Sequence, residues 1–136
     1  MDLQIPTFPS AAKLILRLPV GISFVYHGAQ KLFGAFGGSG IQGFAEFLGS
    51  LGIPYPVLSA WMSGGSEFFC GLALIFGVFA RWATLPLMVT MGVAIAYVTG
   101  KNGFNISNGG YEYNVVILGV LVAILAMGSG KWSIRN

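Results

Sequence analysis

At 136 residues the chain has the length of one domain, yet 55% of it is hydrophobic and only 8% charged, too apolar for a soluble domain of this size. Its net charge of +3 comes from seven basic residues scattered along the chain rather than from a basic block, which excludes the usual signature of a nucleic-acid binder. Cys70 is the only cysteine, so one chain holds neither an internal disulfide nor a thiolate metal cluster. The class that remains is an integral membrane protein.

Lys13 and Arg17 precede an apolar run over 18–25, but Asp2 and Pro6 in the basic region, Pro19 in the run and the lack of a small-x-small cleavage site make a poor signal peptide. The segment is expected to be a retained first span. Ser10 is a suitable N-cap for a helix over about 11–33, long enough to cross a hydrocarbon core of ~30 Å. Lys13 and Arg17 then snorkel at its first end, and Pro19 is placed to kink it.

After Gly34 the chain is glycine-rich, and then Ile41, Phe44, Ala45, Leu48 and Leu51 recur at helical spacing while Gln42, Glu46 and Ser50 fall on other faces. This predicts a short amphipathic helix over about 40–51, lying on the membrane surface or folded back over the helices, with Ser39 and Gln42 as a capping box. A second span is predicted over about 56–79. Its run Ser63-Gly64-Gly65-Ser66, directly before Glu67, serves either a close helix approach or a local break. Arg81 falls in a connection of a few residues, as a topology determinant. A third span over about 82–99 carries Gly92 and Ala96 on a packing face, and a Gly- and Asn-rich loop follows it. A fourth span over about 111–127 offers Gly119 and Ala123 as a similar face. Lys131, Trp132 and Arg135 form an interfacial anchor behind it.

The expected fold is therefore all-α: one four-span membrane domain over 1–136, an antiparallel bundle with the short helix in its first outer loop. Lys13, Arg17, Arg81, Lys131 and Arg135 share one side, whereas Lys31 and Lys101 fall on the other. The positive-inside rule puts both termini in the cytoplasm.

His27 and Lys31 are four residues apart inside the first span, so a helix points both to one face. Ionisable groups cost about 2.5–3.5 kcal/mol at bilayer depth on insertion scales, so they face protein or a water-filled cavity. Glu67 lies roughly 16 Å down the second span from the same side. Glu112 stands at the mouth of the fourth, and Tyr26 and Gln30 flank the histidine. These residues predict an outward-opening polar pocket, with Lys31 paired to Glu112 or Glu67. Two readings stand: His27 and Glu67 exchange protons and bind a ligand headgroup, or the charged groups only fix the order of the helices. One His and two Glu at unrelated spacings form no metal-ligand pattern, so no metal is expected. There is also no bis-histidine pair for haem and no nucleotide loop. Any redox cofactor is then diffusible or a partner's.

The residues also resemble a known family. His27-Gly28 with Lys31 and Gly34, Gly52-Ile53-Pro54, Glu67 with Gly71, Gly77 and Arg81, Gly109-Gly110-Tyr111-Glu112, and Gly130-Lys131-Trp132-Ser133 occur in the order seen in DoxX membrane proteins. Many relatives carry an acid soon after the Trp-Ser pair, where this chain has Ile134 and Arg135. The resemblance implies a four-helix protein of the bacterial or archaeal cytoplasmic membrane. Some members are membrane subunits of thiosulfate:quinone oxidoreductase and others associate with thiol-redox or oxidative-stress complexes.

The expected function is a small membrane subunit of a redox system, part of a quinone-linked oxidoreductase complex. No cofactor is intrinsic. His27 and Glu67 exchange protons, and His27, Lys31, Glu67, Glu112, Tyr26 and Gln30 form a site for a quinone headgroup. Its partners are the lipid bilayer and either other membrane or periplasmic subunits or further copies of itself. The alternative is a non-catalytic assembly or stability subunit. Transport of a small solute ranks lower, because the spans show no inverted repeat.

Overall fold

The computed structural model describes residues 10–130. Among these all regular elements are helical: α1 (Ser10–Phe33), α2 (Gly40–Ser50), α3 (Pro56–Phe76), α4 (Ala80–Ala94) and α5 (Glu112–Met127), with short 3-10 turns between them. Helix α4 continues into one π-helical turn, Ile95–Thr99. The predicted anchor of Lys131, Trp132 and Arg135 lies outside the described residues.

α1 packs on α3, α3 on α4, α4 on α5 and α5 back on α1, while α2 lies across α1 and α3. The amphipathic face read from the sequence accounts for the last contact. Phe44, Ala45 and Leu48 are buried with Ala60 of α3, and Gln42, Glu46 and Ser50 remain exposed. Helix α2 is thus folded back over its neighbours. Its expected capping box is not formed, because the Ser39 side chain makes no cap bond and its hydroxyl instead donates to the Gly40 carbonyl at 3.5 Å.

The main apolar core sits toward the end of the ring where α3 turns into α4. Val20, Phe24, Leu74, Leu87, Leu121 and Ile124 form its centre. Glycine in the left-handed region at 77 closes α3, and Phe79, at φ 48, opens α4 two residues on. The turn is therefore tighter than the sequence implies. Arg81, expected in the connection, lies in the first turn of α4, and the second predicted span ends three residues early at Phe76. Arg17 corrects another expectation. It is not a snorkelling residue but is fully buried, and its Nη1 donates to the Ser129 carbonyl at 2.7 Å.

The stretch Ala80–Asn102 is the one described helix both long and apolar enough to cross a membrane, at a mean hydropathy of 1.6, and Glu112–Met127 is apolar but shorter. Helices α1 and α3 have the length, with 24 and 21 residues, but carry polar groups along it. Those polar groups converge.

Candidate functional site

The site rests on a close approach between α1 and α3. Gly21 of α1 meets Gly71 of α3, where a Cβ on Gly71 would lie 2.9 Å from the Gly21 carbonyl oxygen. One heptad further, a Cβ on Gly28 would lie 2.6 Å from the Phe68 nitrogen, and Gly64 lies against Lys31 and Leu32. With backbone against backbone, no side chain keeps the helices apart. The run over 63–66 is a close-approach segment at Gly64, and α3 passes through it without a break, whereas Gly65 has open space beside it.

This contact brings Lys31 to Glu67. Nζ donates to Oε1 at 2.6 Å, with Glu67 buried and the Lys31 side chain 28% exposed. The ammonium also stands 4.9 Å from the centre of the Phe44 ring on α2, a cation–π contact that occupies its second side. No described donor reaches the other carboxylate oxygen, Oε2, although it too is buried.

Glu67 and Lys31 line a chamber of about 260 Å³, and His27 lines it beside them. The imidazole is held by its neighbours. Gln30 Nε2 donates to the Phe36 carbonyl at 3.3 Å, which turns its amide oxygen toward His27 Nδ1 at 3.0 Å. An amide oxygen only accepts, so with Gln30 in this orientation Nδ1 is the donor of the pair. Tyr26 meets the imidazole edge-on at 5.4 Å and is itself stacked on Phe36 at 4.6 Å.

The far wall comes from α4 and α5. The π-helical turn adds one residue per turn at Tyr97, Val98 and Thr99, all of which line the chamber, and such bulges recur at functional sites. Thr99 Oγ1 donates to Asn114 Oδ1 at 3.0 Å, and Asn114 Nδ2 reaches the Met91 sulfur at 3.5 Å. The Tyr113 hydroxyl shares a 2.6 Å hydrogen bond with Ser23. Phe44, Phe47 and Leu48 of α2 close the roof.

Of the residues singled out in the sequence, His27, Lys31 and Glu67 come together. Tyr26 and Gln30 hold the imidazole without lining the chamber. Glu112 lies apart: Oε1 accepts from the Ile106 amide at 3.2 Å and braces the 100–111 loop, so Glu67 is the partner of Lys31. Sequence reasoning missed Thr99, Tyr113 and Asn114. Asn114 left a signal, as an amide two residues past the start of an apolar helix, and it is 5% exposed. Among the described residues no three His, Cys, Asp or Glu side chains come close enough to hold a metal ion.

The DoxX pattern matches residues 12–100, which take in α1 from its third residue and all of α2 to α4, and with them His27, Lys31 and Glu67. The chain belongs to the DoxX family. Among its DoxX-like relatives, the inner membrane protein YphA of Escherichia coli is 29% identical over 128 residues, 89% of this chain and 86% of YphA. An uncharacterised protein of Haemophilus influenzae is 29% identical over 125 residues, 89% of this chain and 79% of its own length. CatD of Bacillus subtilis, named as a candidate oxidoreductase, is 28% identical over 111 residues, 82% of this chain and 76% of CatD. No solved structure matches this DoxX protein.

Proposed function

We propose that this DoxX protein is a four-span subunit of a redox system in the cytoplasmic membrane, and that its chamber binds a quinone headgroup. At about 1.5 Å per residue, α1 and α3 reach about 36 and 32 Å, enough to span. Lys31 and Glu67 meet between the two helices, while His27, which lines the chamber, is also exposed at the surface. The inner-membrane name of YphA and the oxidoreductase name of CatD support the placement and the chemistry. The bias of Lys and Arg toward Lys13, Arg17 and Arg81 puts the termini in the cytoplasm and the chamber near the outer face.

The observation that carries the reading is the convergence of His27, Lys31 and Glu67 on one aromatic-walled chamber. In it the protein's side chains do three things. Phe44, Phe47 and Tyr97 supply an aromatic lining for a flat headgroup. His27 Nε2 accepts a proton or, once protonated, donates to a carbonyl oxygen. Glu67, held by Lys31, is the second proton partner. Quinone binding to purified protein in lipid nanodiscs tests this: His27→Ala and Glu67→Gln are expected to weaken it at least tenfold without unfolding the chain. No binding, or binding that both substitutions leave unchanged, overturns it.

The bridge between Lys31 of α1 and Glu67 of α3, 36 residues apart, also supports the assembly-subunit reading. Under it, His27→Ala lowers the melting temperature or strips a co-purifying partner, and no quinone ever binds.

A further inference from the structure

We propose that the chamber is entered from the side, and that a groove between α3 and α4 holds the hydrocarbon tail of the ligand whose head the chamber takes. The inference rests on the quinone-headgroup reading above and adds a site for the tail and the route by which the ligand arrives.

The groove follows from what α3 offers α4. Close to their connecting turn, Leu74 of α3 is buried with Ala80, Ala83 and Leu87 of α4, and the space between the helices is filled. Farther from the turn α3 presents Ser59, Ser63 and Ser66, which recur at helical spacing and reach little beyond their own backbone. Opposite them stand Pro86, Val89 and Val93 of α4, and between the two rows lies a groove of about 500 Å³. Protein interiors are packed to the density of organic crystals, so a gap of this size is a place for a second molecule. Two of its hydroxyls turn to their own segments instead of crossing it. Ser59 Oγ donates to the Pro54 carbonyl at 2.9 Å, and Thr90 Oγ1 to the Pro86 carbonyl at 3.1 Å.

The two ends of the groove identify its occupant. At the inner end it adjoins the chamber and shares Leu48, Ile53, Ser63, Thr90, Val93 and Tyr97 with it. At the outer end Met62 and Val89 are 64% and 66% exposed, on the surface that the four-span reading turns to lipid. A phospholipid chain in the groove leaves the chamber unused, whereas a ring with one prenyl tail fills both. The opposite seam suits a tail less well. His27 is exposed there too, but Ser23 and Tyr113 share their 2.6 Å hydrogen bond across α1 and α5, and the Tyr113 ring stands 6.5 Å from the imidazole. That side is latched by polar groups, and the α3–α4 side is walled by Met62, Pro86, Val89 and Val93. A tail gains no hydrophobic free energy by leaving lipid, so the groove acts by shape: when it is filled, the head of a tailed ligand cannot seat.

The test uses the full chain in nanodiscs and two probes, a short-chain prenyl benzoquinone and the same ring without its tail. Ser66→Trp and Val89→Trp fill the groove, and Val116→Trp, on an exposed face of α5 outside it, is the control. Each groove variant is expected to weaken the prenyl probe at least fivefold and the tail-less probe less than twofold, while the control changes neither. Each probe enters the lipid equally for every variant, so these losses are free of partitioning. A prenyl benzoquinone with a photoreactive diazirine at the end of its tail gives a second readout, on the wild-type chain, that holds even if a groove variant fails to fold. Its label is expected on Met62 or Val89 and is expected to be displaced by excess unlabelled prenyl probe. Groove variants that weaken both probes equally or weaken neither overturn the side route while the headgroup site survives. So does label on Ser23 or Tyr113, or label that excess probe does not displace. If neither probe binds the wild-type protein, the headgroup reading falls and this inference with it.

Discussion

Arg17 and Glu67 are the two buried charged side chains among the described residues, at 0% and 1% exposure, and the protein treats them differently. Arg17 sits in the apolar half. Its guanidinium donates to the carbonyl of Ser129, whose hydroxyl accepts from the Ala80 amide at 3.3 Å, so one residue ties α1 to the end of α5 and the start of α4. It lines neither the chamber nor the groove. Glu67 is matched through Oε1 by Lys31, and the residue lines the chamber. One charge is tied to backbone at the helix ends, and the other borders a cavity. Burial alone does not tell the two apart.

The sharpest way to break that contrast is to remove the partners. Lys31→Met strands a buried carboxylate, so unfolding in detergent is expected to be easier by about 3–5 kcal/mol. Glu67→Gln strands only a lysine that is already partly exposed and is expected to cost about 1 kcal/mol or less. Equal losses from the two substitutions would mean that Glu67 is not the buried member in solution. Arg17→Met is next: it leaves the Ser129 carbonyl without that donor and is expected to cost about 1–3 kcal/mol. Ligand affinity should stay within twofold, and a larger loss would join the two halves that the comparison separates.

A third change acts on the scaffold. Gly28→Ala places a methyl against the Phe68 backbone, which forces α1 from α3 and is expected to cost about 1–3 kcal/mol by overpacking. It should also lower quinone affinity, because Lys31 and Glu67 are carried on the two helices. Retained stability with lost binding would place the effect on the site alone. The smallest effect is expected for Glu112→Ala, within about 0.5 kcal/mol and with unchanged binding, since Glu112 braces an exposed loop. A strong loss of binding there would restore Glu112 to the site.

Much of the helix order was legible. The ranges expected for α1, α2 and α5 agree with those observed to within a residue or two, and the apolar face of α2 packs as its spacing implied. Periodicity shows which face of a helix is apolar and not which neighbour covers it. Gly92 and Gly119 were read as packing positions by their spacing to Ala96 and Ala123, yet both have open space beside them. The heptad pairs Gly21 with Gly28 and Gly64 with Gly71 do that work and drew less notice. Arg17 was misplaced for a similar reason: a basic residue near a helix end looks like a snorkelling one unless a carbonyl 112 positions away is known to meet it.

His27, Lys31 and Glu67 were marked by the sequence alone, because an ionisable group in an apolar helix is costly whatever surrounds it. Their number, their spacing on α1 and their common half of the chain follow from the residues and a rise of about 1.5 Å each. Only the tertiary structure chose Glu67 over Glu112 as the partner of Lys31, turned the His27 ring by way of Gln30 and Phe36, and set these residues around one chamber. Those choices depend on how closely two backbones approach and which atoms lie across a gap, and contacts between distant segments are not written in any local pattern.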